Sequence, residues 1–263
     1  MVLQRIAMAV EFDGKAFHGW QRQKNAISVQ EVLECALERI EGHPVASVAA
    51  GRTDAGVHAK ALLVHADVSS ERWQRSIRAY TQGINQLLPD GVCVVGVRAV
   101  KDGFHARFDC SERRYRYQIW NRSTPSAIHQ WRHWWMPRKL DLDSMNRASQ
   151  CLLGQHDFSS FRAAGCQAST AIREVRHLAV SQQEWEISID IHADAFLYHM
   201  VRNIVGSIVR VGTGAWQAEN MLEVLHAKDR NLAAATAPAH GLYFTDAIYQ
   251  DFSATELIGK EDA

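Results

Sequence analysis

The sequence predicts an α+β protein made of two ferredoxin-like domains with antiparallel sheets. Its 263 residues are 47% hydrophobic, so the chain can bury a substantial core in one large domain or two ordinary ones. Segments with a period-two apolar pattern alternate with segments of helical periodicity in the order β-α-β-β-α-β, and this order occurs twice. We therefore expect one domain at residues 1–103 and a second at 104–263.

The first half begins with a strand and a helix that have clear signals. In "QRIAMAVEF" apolar residues alternate with smaller or polar ones, as in a half-buried strand. Ser28 and Glu31 form a capping box at the start of the helix, and Gly42 ends it. The other expected elements of this half are a strand near 46–50, a strand near 62–68, a helix from about 70 to 88, and a strand near 92–100.

The second half repeats the order with one additional helix. Its expected elements are the strand "RRYRYQIW", a helix near 143–153, strands near 173–180 and 185–193, an apolar helix containing "LYHMVRNIVGSIV", a short helix near 219–226, and a strand near 242–249. The last dozen residues, "FSATELIGKEDA", have weak periodicity, and we expect them to fray.

Composition argues against several classes of protein. No apolar run is long enough to cross a bilayer, and the first dozen residues are too short and too alternating for a signal peptide, which predicts a cytoplasmic protein. Five cysteines are scattered without a CxxC spacing, so neither a disulfide framework nor a thiolate metal site is expected. His129 and His133 have a metal-ligand spacing, but no HExxH pattern surrounds them. We expect no metal.

Basic residues are concentrated in two places although the net charge is zero. Residues 105–139 hold eight Lys or Arg against two acids, and Arg107 and Arg114 are among them. Arg72, Arg75 and Arg78 recur every three residues in a helical pattern. A solvated surface is one interpretation of both groups. The aromatic residues interleaved in "RRYRYQIW" favour nucleic acid, because arginines bind phosphate while aromatic rings stack on bases.

Five motifs in order carry a family resemblance over about residues 5 to 250. They are "FDGKAFHGWQRQ", "GRTDAGVHA", "FHARF" followed by "RRYRY", "HMVRNIVG" and "HGLYF". With them the chain resembles the tRNA pseudouridine synthase A family. The resemblance implies the pseudouridine synthase fold and conversion of uridines 38, 39 and 40 of the tRNA anticodon stem-loop to pseudouridine. It also implies no cofactor and a homodimer whose subunits jointly hold one anticodon arm.

The resemblance also implies roles for single residues. Asp54, on a loop of the first domain, is the catalytic acid residue, and Arg202 pairs with it. Tyr115 stacks on the target uracil and takes the C5 proton, and Leu242 forms an apolar wall, so the second domain completes the uracil pocket. Arg52 enters the RNA and supports the flipped nucleotide. The sequence leaves open whether Asp54 attacks C1′ of the ribose or C6 of the base, or stabilises a cationic sugar.

Two features after Asp54 in the chain are a histidine without an expected catalytic role and a departure from the family pattern. We expect His58 to hold the turn by hydrogen bonds and not to act in catalysis. Ala61 and Leu62 stand where the family usually has Gly-Gln, which questions a polar contact at the start of the strand.

Two other classes of function remain as alternatives. An RNA-binding module without catalysis shares the ferredoxin-like architecture, but its usual Gly-Phe-rich strand motif is absent from the sequence. An Asp-dependent hydrolase is disfavoured, because no second carboxylate accompanies Asp54 locally and there is no GxSxG motif.

Overall fold

The computed structural model describes residues 2–262 and contains both strands and helices. Strands are β1 (Leu3–Phe12), β2 (Ser47–Ala49), β3 (His58–Ser69), β4 (Val92–Ala99), β5 (Glu112–Asn121), β6 (Trp134–Met136), β7 (Gly154–Asp157), β8 (Ile172–Gln183), β9 (Glu186–Ala193), β10 (Leu242–Ile248) and β11 (Glu261–Asp262). Helices are α1 (Val29–Glu41), α2 (Ser70–Arg75), α3 (Gln82–Asn85), α4 (Leu142–Gln150), α5 (Met200–Gly212) and α6 (Asn220–Ala227). Every predicted strand is confirmed, with ends shifted by a few residues.

The described chain forms two compact units. The first comprises the residues up to Arg113 together with those from Phe244 onward, and the second comprises Arg114–Tyr243. The C-terminal segment therefore belongs to the same unit as the N-terminal half. The ferredoxin-like domain boundary after residue 103 remains a prediction.

The sheet of the first unit has the strand order β11-β4-β1-β3-β10, and β2 also pairs with β3. Strand β1 is antiparallel to both of its neighbours, with Met8 opposite Val64 on β3 and Val97 on β4. Strands β1 and β2, which flank helix α1 in the chain, are thus separated in space by β3, as in a split β-α-β unit. The predicted caps of α1 are confirmed: Glu31 N donates to Ser28 Oγ at 3.3 Å, and Gly42 has φ of 76°.

The single helix predicted from about 70 to 88 is wrong. Helix α2 ends at Arg75, the backbone of Ser76 after it is extended, and a 3₁₀ turn and the short α3 follow. The break turns Tyr80 into the core, where its hydroxyl donates to the buried carboxylate of Glu41. The other oxygen of Glu41 accepts from Ser69 N at 2.9 Å. A buried carboxylate must be hydrogen-bonded, and this need outweighs the helical pattern.

The second unit has the strand order β5-β9-β8-β7, with β6 parallel to β5. The short strands β6 and β7 were missed, because three or four residues give too little pattern. Helix α5 is buried along most of its length. Gly212, in its last turn, lies so close to α4 that a Cβ there would collide with the side chain of Met145.

The predicted fraying after Phe252 is wrong for the described residues. Ala254 and Leu257 are buried, and Asp246 accepts hydrogen bonds from both the amide and the hydroxyl of Thr255. The carbonyl of Leu257 fills the space where Gly96 lacks a side chain. Ala263 lies outside the described residues.

Residues 2–262 offer neither a membrane-spanning helix nor a cluster of metal ligands. None of the helices there is long and apolar enough to span a membrane. The same residues contain no group of three or more His, Cys, Asp or Glu side chains placed to hold a metal ion.

Candidate active site

Asp54 lies in a tight turn of the first unit, between β2 and β3. Val57 N donates to Asp54 O at 3.1 Å, and Gly56 has φ of 80°, a value that L side chains rarely adopt. Asp54 is half-buried and Arg52 is exposed, whereas Thr53 between them is buried. The turn therefore places the cation of "GRTDA" toward solvent and its carboxylate partly inside.

The motif "FDGKAFHGWQRQ" braces this turn through its backbone. Trp20 N donates to Thr53 O at 3.1 Å. A Cβ on Gly19 would lie 2.5 Å from the same carbonyl oxygen, and a Cβ on Gly14 would collide with Val57 O. The two motifs are thus fitted to each other, and only glycine permits the approach at both positions. The sequence signal for this contact was the pair of glycines, which our sequence reasoning did not use.

His58 fixes the end of the Asp54 turn by hydrogen bonding, as predicted. Its side chain is buried, and Gly14 N donates to His58 Nδ1 at 3.0 Å. The Oδ1 atom of Asp13 lies 3.2 Å from the same ring nitrogen. Both neighbours come from the bracing segment, so His58 joins the end of the turn to that segment.

Arg113 connects the start of the same turn to the "FHARF" segment. Its guanidinium donates to Ala50 O, directly before the turn, through Nε and Nη2, both at 3.2 Å. It also donates to Cys110 O at 2.8 Å and to Arg107 O. Arg113 belongs to the basic segment 105–139, for which the sequence favours contact with nucleic acid. In the structure its N–H groups instead donate to backbone carbonyls.

The "FHARF" segment is fixed at Ala106 by two buried side chains. Ala106 N donates to His65 Nδ1 at 3.0 Å, and the hydroxyl of Tyr249 donates to Ala106 O at 2.7 Å. Burial lowers the pKa of His65 to about 4 and raises the pKa of Tyr249. Both rings are therefore neutral at pH 7.

In the second unit, Tyr115 and Tyr117 lie on the same face of β5. Tyr115 is buried and meets Phe196 edge to face, with ring centroids 5.0 Å apart. The Tyr117 hydroxyl donates to Pro238 O at 2.8 Å. A Cβ on Gly241 would lie 2.6 Å from the Tyr117 ring, so the backbone that leads into Leu242 rests against this ring.

Arg202 is hydrogen-bonded to the start of residues 237–242, the segment that also contacts Tyr117. Its Nε donates to Ala237 O at 2.8 Å, and Ala237 N donates to Arg202 O at 3.1 Å. Arg202 also interacts electrostatically with Tyr117. Burial raises the pKa of the Tyr117 hydroxyl, and the positive charge of Arg202 opposes that rise. The structure thus brings Arg202, Tyr117 and the segment that ends at buried Leu242 together within the second unit. Tyr117 was not predicted as part of the site.

The basic residues predicted to contact phosphate fall into two groups. Arg72 donates to Ile40 O at 2.8 Å, at the C-terminal end of α1, and so stabilises that helix. Arg75, Arg78 and Arg107 are exposed, and Arg114 on β5 is half-buried. In the basic segment, Arg116 forms a two-bonded ion pair with Asp190, at 2.8 and 3.1 Å. Only part of the basic surface is therefore available to a polyanion.

Comparison with known proteins gives one consistent result. A sequence profile of the family described as tRNA pseudouridine synthase matches residues 8–109 and 148–250. These intervals include Asp54, Arg202 and Leu242, whereas Tyr115 lies between them.

Similar curated proteins share the same description. The tRNA pseudouridine synthase A of Aeromonas hydrophila is 50% identical over 245 residues, which cover 93% of this chain and 90% of the relative. That of Pseudoalteromonas atlantica is 49% identical, covering 94% and 93%. That of Escherichia fergusonii is 47% identical, covering 94% and 90%. Among solved structures, a putative glycine cleavage system transcriptional repressor matches with 9% identity and a TM-score of 0.26. The match covers 74% of this chain and 82% of that one, and a likeness this weak carries no argument.

Proposed function

The chain belongs to the tRNA pseudouridine synthase family, and from this premise we propose that it isomerises uridines 38, 39 and 40 of the tRNA anticodon stem-loop. It is thus an isomerase that acts on tRNA. The choice of the anticodon stem-loop rests on the motifs shared with the A branch of the family and on relatives of that name. The observation that supports an active site in this chain is the Asp54 turn, braced through Gly14, Gly19 and His58.

The reaction is a rearrangement in which no atoms are gained or lost overall. The bond between uracil N1 and ribose C1′ breaks, the base turns, and a bond forms between C5 and C1′. C5 then loses its proton to a base, and N1 gains a proton. The reaction needs a group that stabilises or attacks the electron-poor sugar or base, and a proton acceptor near C5.

We assign the first role to Asp54. A carboxylate can form a covalent intermediate or stabilise positive charge, and its geometry must be fixed within a fraction of an ångström to be effective. The hydrogen bond from Val57 N and the close glycine contacts leave the turn little freedom. This rigidity favours a catalytic role over a simple turn-capping role, which would need no such bracing.

We assign the remaining roles to residues of the second unit. We propose that Arg202 provides the cation that pairs with the Asp54 carboxylate. Tyr115 stacks on the uracil and accepts the C5 proton, and Leu242 provides an apolar wall for the base. Support comes from the rigid attachment of Arg202 and of the segment preceding Leu242 to Tyr117 and Ala237.

The target base must leave the helix stack, which costs a few kcal/mol. We propose that Arg52, exposed beside Asp54, enters the RNA and supports the flipped nucleotide. The exposed Arg75, Arg78 and Arg107, together with Arg114, are proposed to contact phosphate. Arg72 contributes less, because its guanidinium is used at the end of α1.

Two broader expectations complete the proposal. The size of a tRNA relative to one chain and the family resemblance support a homodimer that holds one anticodon arm. The cytoplasm is the proposed location, where tRNA is modified. Sedimentation at micromolar concentration tests the first of these: a fully active monomer would contradict it.

The test of the function uses Asp54→Asn and the matched control Asp90→Asn, at an exposed position. Asn keeps the size of Asp but cannot act as a carboxylate. We expect Asp54→Asn to abolish tritium release from C5-labelled tRNA while affinity for tRNA stays within a few-fold, because phosphate contacts supply most of the binding energy. Asp90→Asn should behave as wild type in both assays.

Carbodiimide treatment and reverse transcription of unmodified transcript, incubated without cofactor, map the product positions. Pseudouridine elsewhere than at 38, 39 and 40 would overturn the proposed specificity. Normal tritium release by Asp54→Asn would overturn the catalytic assignment. Binding of tRNA by wild type with no tritium release would favour an RNA-binding module instead.

A further inference from the structure

Phe108 is an apolar ring presented to solvent on a rigid turn. Its exposed fraction is 77%, among the highest for the large apolar side chains of the described chain. Single exposed apolar residues are common on protein surfaces and need no explanation by themselves. The support beneath Phe108 is what distinguishes it from such residues.

That support is a stack of rings that leads into the core of the first unit. The ring of Phe108 lies 4.2 Å from that of His105 with an interplanar angle of 25°, a stacked arrangement. His105 in turn meets buried His65 at 5.0 Å. One face of Phe108 is thus covered by an imidazole, and its high exposure leaves the opposite face to solvent.

The backbone of the turn is also fixed. The amides of Arg107 and Phe108 both donate to His105 Nδ1 at 3.2 Å, and His105 N donates to the Asp109 carboxylate at 2.8 Å. Ala106 is held by two buried side chains, as described above. A partner that stacks on Phe108 therefore meets a preorganised ring and pays little entropy to order it.

The surroundings favour RNA as that partner. The guanidinium of Arg107, which is exposed, lies 5.9 Å from the Phe108 ring centroid. An aromatic ring beside an arginine suits a stacked base and its phosphate. Arg113 donates both to Arg107 O and to Ala50 O, so the Phe108 turn lies next to the start of the Asp54 turn. RNA bound at the Asp54 turn would therefore have the Phe108 turn as a neighbouring surface.

We propose that the Phe108 ring, backed by His105, is a stacking platform for an unpaired base of the tRNA substrate, separate from the target uridine. The inference rests on the proposed function only in taking tRNA as the substrate. Stacking recognises any base, because every base has a π-face, so the platform positions the RNA and does not read its sequence.

The test compares Phe108→Ala and Phe108→Trp with the control Trp185→Ala, which removes a half-exposed aromatic from the β8–β9 turn. We expect Phe108→Ala to weaken tRNA binding about tenfold or more, and Phe108→Trp to retain it. The dependence of affinity on salt should not change, because no phosphate contact is lost. Trp185→Ala should bind as wild type. Melting curves should be the same for Phe108→Ala and wild type.

A photoreactive phenylalanine analogue at position 108 supplies direct evidence of contact. We expect it to crosslink to tRNA under ultraviolet light, at a base other than 38, 39 or 40. Affinity of Phe108→Ala within twofold of wild type would overturn the proposal. So would crosslinking to a second protein chain with a shift to monomer for Phe108→Ala, since the ring would then belong to a subunit interface. Failure of the proposed function is distinguishable, because wild type would then form no pseudouridine.

Discussion

Acid should destabilise this protein through His65. Burial is the main cause that lowers the pKa of His65 to about 4, and the charges of Arg5 and His105 add to it, while Asp67 and Asp109 oppose it. An unfolded histidine has a pKa near 6.5. Between these two values the unfolded chain binds more protons than the folded one, so stability falls as pH decreases from about 6.5 toward 4. Above this range the protonation of His65 no longer changes stability with pH.

The magnitude follows from the two pKa values of His65. Linkage over the interval from pH 7 to pH 5 gives a loss of about 2 kcal/mol in the free energy of unfolding. The change His65→Asn removes the titrating ring but can keep an acceptor for Ala106 N. The variant should therefore lose about 2 kcal/mol less than wild type over the same interval, even if it is less stable at pH 7.

Urea unfolding of both proteins at pH 7 and pH 5 measures this difference directly. The exposed His18, changed to Asn, serves as a control that should follow wild type. Other histidines contribute equally to both proteins and cancel in the comparison. Equal losses in wild type and His65→Asn would show that His65 is not held neutral by the fold, and the reasoning would fail.

Two pairs of substitutions test the structure around Asp54 and the basic surface. Gly14→Ala places a Cβ against Val57 O, so it should reduce kcat/KM at least tenfold and stability by about 1–3 kcal/mol. Gly103→Ala, where a Cβ meets open space, should change neither quantity, and equal effects of the two would refute the bracing argument. Arg72→Ala should cost about 0.5 kcal/mol of stability, because it leaves the end of α1 without its donor, whereas Arg75→Ala should instead reduce the salt slope of tRNA binding by about one ion. Thermal melts measure the stability loss, and tRNA affinities at several salt concentrations measure the salt slope. Identical behaviour of Arg72→Ala and Arg75→Ala would contradict the different roles assigned to these two arginines.

The sequence predicted those parts of the fold that depend on local signals. Strand β1 follows a period-two pattern, and α1 has a capping box and a terminal glycine, so both could be placed from neighbouring residues alone. The break after α2 could not, because it depends on a hydrogen bond between Tyr80 and Glu41, which are far apart in the chain. Long-range polar pairs leave no periodic signal in a single sequence.

The candidate site shows the same division. Asp54 and Arg202 were predicted from motifs that can be matched in one sequence, and their roles in the reaction stay predictions. Arg113 belongs to the basic segment for which the sequence favours nucleic acid, yet it donates to backbone carbonyls, because a guanidinium that binds carbonyls and one that binds phosphate look the same in a sequence. Gly14 was visible as a residue, but the carbonyl it approaches lies more than forty positions away.

The position of Arg113 has a consequence for motion. The Arg113 side chain joins Ala50, directly after β2, to the turn at Arg107, so opening of either segment releases hydrogen bonds of the side chain that also holds the other. The Asp54 turn and the Phe108 turn should therefore open together, as one cooperative unit in native-state hydrogen exchange. The amides of Val57 and Ala106 would then exchange with a common opening free energy. RNA that binds to one of the two turns would therefore also slow hydrogen exchange in the other.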